Sequence, residues 1–367
     1  MPLAAVFGFP PFDTIWLGSV LILTTPILLA ALGELVSERA GVLNVGLEGF
    51  MLVGAFLSYW ATWSTHSLGA GLLAGIVAGL VFAAVMALLA VEAGADQIVS
   101  GVGLNLAAIG LTGYLFDRIF ANLKQQVVVI LAPVPIPGLS AIPGFGPALF
   151  DHDPIVYFAF LLAPAAWFLL YRTRWGLSIR AAGEYPAAAD TAGISVRLVR
   201  WMSVLCAGAL SGLAGAYLAI VVVGIFREQM TAGRGFLALV AVIFGRWRPV
   251  GLVVACLILG GTDALQLRLA NRPDLPRVVW AATALIAVGV VAHQLIRRSG
   301  RPPLTTSGVL AAAAVAAAGL YVLAPTISVP IQLWRSLPFL LALLVLAGAV
   351  SQARMPAQLT LPYHRGE

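Results

Sequence analysis

Charge is scarce in this sequence. Charged residues make up 10% of its 367 residues, whereas about 25% is typical of water-soluble globular domains. Apolar residues account for 61% of the chain, and the mean hydropathy is +0.99. This composition excludes a water-soluble fold and predicts a protein that is embedded in lipid.

Cysteine and histidine are also rare. Cys206 and Cys256 both lie in apolar runs, so we interpret them as packing residues that form neither a disulfide framework nor a metal site. The sequence has no His-Glu-x-x-His motif, and its histidines are scattered at positions 66, 152, 293 and 364. We therefore expect no metal site and no catalytic residues, which argues against an enzyme that works within the membrane.

We expect no cleavable secretory signal either. Residues 15–32 form a long uncharged stretch with no cation before it, whereas a signal peptide begins with a basic region. We expect this stretch to stay in the protein as a membrane anchor.

What the sequence does contain is a series of apolar runs. Most have about 18–25 residues, enough to cross about 30 Å of hydrocarbon as a helix. Helices are expected because lipid offers no partner for free backbone groups, and no alternating pattern indicates a barrel. We predict an all-α polytopic membrane protein with about 8–11 transmembrane or broken helices in a single domain, residues 1–367. The predicted segments are 15–35, 45–63, 68–92, 97–116, 154–171, 202–224, 236–245, 249–267, 278–296, 305–325 and 336–352.

The arginines set the predicted orientation. The loop at residues 172–200 contains five arginines against two acidic residues. By the positive-inside rule this loop is cytoplasmic, and alternation of the spans places the C-terminus on the same side. The Pro- and Gly-rich stretch at residues 118–153 then lies outside the cell, with prolines that prevent a regular helix across much of it. The net charge of +6 falls mostly in short loops, so we attribute it to topology rather than to nucleic-acid binding.

A few polar residues interrupt the predicted spans. They are expensive in lipid and should face protein or a water-filled path. Residues 41–49 combine three glycines with two polar side chains, and broken helices of this kind often line transport cavities. Two interpretations stay open: a translocation path, or a helix end capped by Glu34, Glu38 and Arg39 with Asn44 bonding across helices. The candidate path residues are Asn44, Glu48, Gln97 and Asn105.

The basic loop contains a segment with the composition of a short, solvent-facing helix. Proline stands near its front, alanines favour a helix, and glycine stands near its end. Such a helix can dock into a groove on a partner, and the alternative is a simple turn between two spans. Its residues are Glu184, Tyr185, Pro186, Ala187, Ala188, Ala189, Asp190, Thr191, Ala192, Gly193 and Ile194.

Four motifs, in the same order along the chain, resemble those of a known family. Residues 38–49, 184–194, 230–236 and 244–249 resemble the nucleoside-type permeases of the branched-chain amino acid and ribose ABC importer superfamily. The resemblance implies a type II-like ABC importer permease in the bacterial cell membrane, a multi-pass subunit that forms half of a translocation path for nucleosides or related small uncharged solutes. It also implies that residues 184–194 are the coupling helix, which seats on an ATPase.

The resemblance implies partners that this chain lacks. They are a second, homologous permease that completes a heterodimer, an ATPase with tandem nucleotide-binding domains, and an extracytoplasmic substrate-binding lipoprotein. Membrane lipid is a further expected partner of this chain. The chain has no G-x-x-x-x-G-K-[ST] loop, so we expect it to bind no cofactor and expect ATP and magnesium to bind the ATPase.

The apolar stretch at residues 236–245 is too short to span the membrane alone, and two arginines, Arg246 and Arg248, follow it directly. We predict a re-entrant or broken element over residues 230–249, with its arginines near the cytoplasm, that forms part of a gate or contacts the ATPase. An ordinary short loop is the alternative. The candidate gate residues are Met230, Arg234, Arg246, Trp247 and Arg248.

The resemblance breaks at residues 274–329, which we interpret as an inserted transmembrane hairpin. Two alternatives to a nucleoside permease remain at this point. One is a ribose-like simple-sugar permease of the same superfamily. The other is a secondary transporter, which requires ionisable groups at the bilayer midplane, and only Glu34, Glu48 and Asp263 are obvious acidic candidates.

Overall fold

A computed structural model of the chain describes residues 14–121, 127–128, 131–143, 145–270, 331–349 and 355–363. Within them the long apolar helices follow the predicted apolar runs. The predicted segments 278–296 and 305–325, and the predicted hairpin at 274–329, lie outside the described residues. The helices are α1 (Thr14–Arg39), α2 (Leu47–Thr65), α3 (Leu68–Ala87), α4 (Gln97–Phe120), α5 (Gly146–Phe150), α6 (Pro154–Arg172), α7 (Arg174–Glu184), α8 (Pro186–Thr191), α9 (Val196–Ala216), α10 (Arg234–Phe244), α11 (Pro249–Ala270), α12 (Ile331–Arg335) and α13 (Leu337–Ala349).

Six of the described helices are long and apolar enough to cross a membrane. Two of them, α3 and α9, continue into π-helical turns at Leu88–Glu92 and Tyr217–Val223. The all-α polytopic fold is thereby confirmed. The spans are Ile15–Arg39, Leu68–Glu92, Gln97–Phe120, Pro154–Arg172, Val196–Val223 and Pro249–Arg268.

By their contacts the residues fall into two units. The larger comprises Leu17–Asp263 and Pro338–Glu367 and holds all of the site described below. The smaller comprises Met1–Trp16 and Ala264–Leu337, and its described part includes the end of α11 and the short helix α12.

Glycines bring α2, α3 and α9 into backbone contact. A Cβ atom on Gly212 would lie 2.2 Å from the Gly75 carbonyl oxygen, and one on Gly54 would lie 2.5 Å from the Gly212 carbonyl oxygen. Membrane helices lack a hydrophobic driving force between them, so close packing through small residues is what stabilises such a bundle. These three helices therefore form the tightly packed centre of the larger unit.

Helix α1 lies between α9 and α11. A Cβ atom on Gly33 would lie 2.7 Å from Ala207 Cα, and the Thr24 hydroxyl donates to the Cys256 carbonyl oxygen (3.4 Å). Cys256 is fully buried and Cys206 is half-buried, which agrees with their interpretation as packing residues. The middle of α1 is consequently enclosed by protein.

The described part of the Pro-rich stretch consists of short elements. Strand β1 (Val134–Pro135) pairs antiparallel with β2 (Asp151–His152), with Val134 opposite His152. The Tyr157 hydroxyl donates to the Val134 carbonyl oxygen (3.2 Å), and Asp153 caps the start of α6. These bonds tie the stretch to the start of α6.

Candidate functional site

The four predicted path residues gather around the break between α1 and α2. This break spans residues 40–46, where the backbone leaves the helical conformation. Asn44 lies in the break, Glu48 lies in the first turn of α2, and Gln97 and Asn105 face the break from α4. The backbone groups that lose their helical partners must bond elsewhere, because lipid supplies none.

Two amides of α4 supply those partners. The Gln97 Oε1 atom accepts from the Leu43 N–H (2.8 Å). Asn105 accepts from the Gly49 N–H (2.7 Å) and donates to the Val45 carbonyl oxygen (3.0 Å). The two amides are eight residues apart and therefore lie on one face of α4. They hold the broken segment along that face.

Glu34 of α1 and Asn44 of the break itself bind further backbone N–H groups of the break. Glu34 Oε1 accepts from the Asn44 N–H (2.7 Å), and Asn44 Oδ1 accepts from the Gly46 N–H (3.0 Å). Both side chains are fully buried. These contacts stabilise the helix break, and the role of the four residues in a translocation path stays a prediction.

Glu48 joins the break to the start of α10. Its Oε1 atom accepts from the Thr231 hydroxyl (2.6 Å) and the Gly233 N–H (2.7 Å), and its Oε2 atom accepts from the Gly235 N–H (2.7 Å). A carboxylate is stabilised there because a helix N-terminus presents unpaired N–H groups and a partial positive charge. We refer to these four residues as the Glu48 clamp.

The glycines of the 230–236 motif are required by this geometry. Gly233 has φ +81°, a conformation that favours glycine. A Cβ atom on Gly235 would lie 2.4 Å from the Glu48 backbone nitrogen. Next to the clamp, Arg234 Nη2 donates to Asp263 Oδ2 (2.7 Å) in a largely buried ion pair. The sequence did not predict that Thr231 binds Glu48 or that Asp263 pairs with Arg234, although Thr231 lies within one of the motifs singled out above.

Helix α10 connects the Glu48 clamp with the far end of α1. With 11 residues it is about 16 Å long, too short to span a membrane. At its C-terminal end the Trp247 Nε1–H donates to Glu38 Oε2, and Arg39 Nε donates to the Trp247 carbonyl oxygen (2.9 Å). Thus α10 brackets the α1–α2 break, with one end bound to Glu48 and the other to the last turn of α1.

The remaining candidate gate residues lie at the two ends of α10. Arg246 and Trp247 both have positive φ, which is uncommon for residues other than glycine. Trp247 is buried, whereas Arg246 and Arg248 are exposed. Met230 is half-buried and packs against the main apolar core. The short, interrupted helix that the sequence predicted here is present, and its role as a gate stays a prediction.

The helix expected in the basic loop is present at Pro186–Thr191, as α8. It ends at Thr191, and Gly193, two residues further on, has φ +84° and donates its N–H to the Asp190 carbonyl oxygen (2.9 Å). The sequence did not predict α7, whose last residue is Glu184. A Cβ atom on Gly183 would lie 2.2 Å from the Arg39 carbonyl oxygen, so the end of α7 lies against the end of α1.

The C-terminal segment packs onto the same end of the protein. Gln358 donates its N–H to the Gly183 carbonyl oxygen (2.9 Å). The guanidinium of Arg200, which is only 2% exposed, donates to the Leu361 carbonyl oxygen (3.0 Å). The loop at 172–200 and residues 355–363 therefore lie on one side of the protein, as alternation of the spans predicted, and that this side faces the cytoplasm stays a prediction.

Comparison with known proteins assigns the family. A family model described as branched-chain amino acid transport system / permease component matches residues 16–288. The chain belongs to this permease family. The match ends within the predicted inserted hairpin, 14 residues beyond its predicted start at residue 274. No solved structure gives a significant match to this permease.

Several curated relatives of the permease are named as ABC transporter subunits. It is 36% identical to the guanosine ABC transporter permease NupQ of Bacillus subtilis over 300 residues. The aligned region covers 77% of this chain and 92% of NupQ. The permease is 38% identical over 257 residues to TsgC13 of Haloferax volcanii, provisionally named a glucose ABC transporter permease (69% and 78% covered). It is 37% identical over 249 residues to the nucleoside ABC transporter permease NupC of Lactococcus lactis (66% and 78% covered).

These findings make the chain a multi-pass cell-membrane protein and a transport component rather than an enzyme. Within the described residues no group of three or more histidine, cysteine or acidic side chains is placed to hold a metal ion. At this site polar side chains form hydrogen bonds with the backbone groups of the helix break and of the start of α10.

Proposed function

We propose that this chain is the membrane-spanning permease of an ATP-driven importer and forms half of a translocation path for nucleosides. Relatives named for guanosine and nucleoside transport, at 36% and 37% identity, support this substrate class. Few fixed charges lie at membrane depth, which favours an uncharged solute over an ion.

A simple sugar is the second candidate solute. The relative provisionally named for glucose transport is 38% identical to this chain. Nucleosides and sugars both present hydroxyl groups to the same kinds of amide and carboxylate, so the polar residues near the break suit either.

The observation that carries the proposal is the position of α10. A displacement of α8 would move the end of α7, which lies against the end of α1 at Arg39. Arg39 and Glu38 both bond to Trp247, so the displacement would pass to the turn that follows α10. From there α10 leads to the Glu48 clamp. Closure of a partner ATPase would in this way shift the balance between two arrangements of the α1–α2 break.

The proposed partners follow from the family and its coupling surface. Residues 172–200 and 355–363 would face the cytoplasm, where α8 and the exposed Tyr185 would contact a tandem ATPase. A second permease would complete the path as a heterodimer. In support, a second Bacillus subtilis guanosine permease, NupP, is 26% identical over 304 residues. An extracytoplasmic lipoprotein would deliver the solute, and ATP would bind the ATPase rather than this chain.

Gentle purification of the tagged chain from its native membrane tests the proposal. We expect a second permease and an ATPase to copurify, and the assembly in vesicles to take up labelled guanosine only when ATP is supplied. ATP-driven uptake of glucose or ribose without guanosine uptake would establish the sugar alternative. A chain that purifies alone and moves solute without ATP would overturn the proposal in favour of a secondary transporter.

A further inference from the structure

Two adjacent cavities lie between α6 and the start of α11. The first has a volume of about 890 Å³, and the second, about 450 Å³, is lined by apolar side chains of both helices. They share Trp167, Pro249 and Val250, so the first cavity continues into the second. The residues that line the first cavity include four arginines and two aromatic residues: Arg39, Arg172, Arg246, Arg248, Trp167 and Tyr171.

We propose that these cavities bind an anionic phospholipid, with its phosphate among the arginines and one acyl chain in the apolar groove. Four arginines line the first cavity, and none of its described lining residues is acidic. Basic pockets between membrane helices bind anionic headgroups for this reason.

The arginines are held in place by the fold. Arg172 lies 5.6 Å from the centre of the Trp167 ring, a contact that fixes a cation over an aromatic face. Arg39 is half-buried, and its guanidinium donates to the Trp247 carbonyl oxygen and the Tyr171 hydroxyl, which fixes its position in the lining. Arg248 also lines this cavity and is exposed at the turn before α11, where an incoming phosphate can reach it.

The depth of the groove favours lipid over a protein partner. Arg172 is the last residue of one span, and the turn with Arg248 directly precedes another that begins at Pro249, so the cations lie where headgroups lie. The groove runs from there along both spans, toward the hydrocarbon. Val250 and Val254 are 70% and 50% exposed on its wall. An acyl chain reaches such a groove from the bilayer, whereas a water-soluble ATPase does not.

The test uses the full-length chain, purified and placed in nanodiscs of phosphatidylcholine with increasing fractions of phosphatidylglycerol. Native mass spectrometry counts the phosphatidylglycerol that stays bound. We expect Arg172→Gln and Arg248→Gln each to weaken retention about fivefold, since each arginine contributes about 1 kcal/mol toward an anionic lipid. The matched control is Arg174→Gln, an exposed arginine at the same end that does not line the cavity.

A groove variant separates a lipid from a free phosphate. Val254→Trp fills the apolar groove without touching the arginines and should also lower phospholipid retention about fivefold, relative to the wild type. Unchanged retention in all three variants overturns the proposal, as does an equal loss with Arg174→Gln. If inorganic phosphate binds as tightly as the phospholipid and Val254→Trp changes neither, the site is a phosphate site and the proposal is also overturned. Normal lipid retention with weakened ATPase binding would assign the arginines to the ATPase instead.

Discussion

Replacing Glu48 by alanine removes the acceptor of three hydrogen bonds at the start of α10. Two of the donors are the backbone N–H groups of Gly233 and Gly235, and each would lose its partner inside the protein. An unpaired buried N–H costs about 1–3 kcal/mol. The lost charge at a helix N-terminus adds up to about 2 kcal/mol. We therefore expect Glu48→Ala to lower the free energy of unfolding by about 2–8 kcal/mol.

Glu48→Gln should have an intermediate effect. The amide keeps one acceptor oxygen, but its NH₂ group must face one of the remaining donors. We expect a loss of about 1.5–3 kcal/mol, the range for a hydrogen bond to a charged group. The matched control is Glu228→Gln, an exposed glutamate in the segment before α10, which should change stability by less than about 0.5 kcal/mol.

Thermal unfolding of the permease in nanodiscs measures stability, and guanosine uptake by the assembled transporter measures the proposed function. We expect both to fall in the order wild type, Glu48→Gln, Glu48→Ala. The reasoning about the Glu48 clamp is refuted if Glu48→Ala unfolds and transports like Glu228→Gln.

Three further predictions concern packing, the buried ion pair and coupling. Gly212→Ala should lower the free energy of unfolding by about 1–3 kcal/mol through overpacking, whereas Gly113→Ala, with open space around it, should not; thermal unfolding compares the two. Asp263→Asn should cost about 3–5 kcal/mol because it leaves Arg234 without its buried partner, and the same assay should show that an Asp263→Leu, Arg234→Met double variant recovers most of the loss. Asp190→Arg should abolish uptake while the permease still inserts and pairs with its partner, and normal uptake by this variant would contradict the coupling role of α8.

Much of the helical framework was predictable because lipid imposes length and hydrophobicity on each span. The run predicted at 154–171 appears as Pro154–Arg172, and the run predicted at 68–92 appears as Leu68–Glu92. The helix α8 was also predictable, since Pro186 and Gly193 are local signals for its start and end.

Contacts between distant residues were not predictable from local patterns. Glu48 was singled out as expensive in lipid, yet nothing in the sequence around it indicates that its partners are 183 to 187 residues further on. The burial of Arg200 is a second case. An arginine in a basic loop suggests an exposed topology signal, whereas this one is enclosed and bonds to the Leu361 carbonyl oxygen.

The measurement that tests the account most directly is the distance between spin labels on α10 and on the glycine-packed bundle. Phe236, in the first turn of α10, and Leu73, on α3, are 43% and 62% exposed and suit labelling. In the assembled transporter we expect the distance distribution to shift by about 2 Å or more between the nucleotide-free and ATP-trapped states. An unchanged distribution in a transporter that still takes up guanosine would contradict the claim that α10 transmits the motion of the ATPase to the Glu48 clamp.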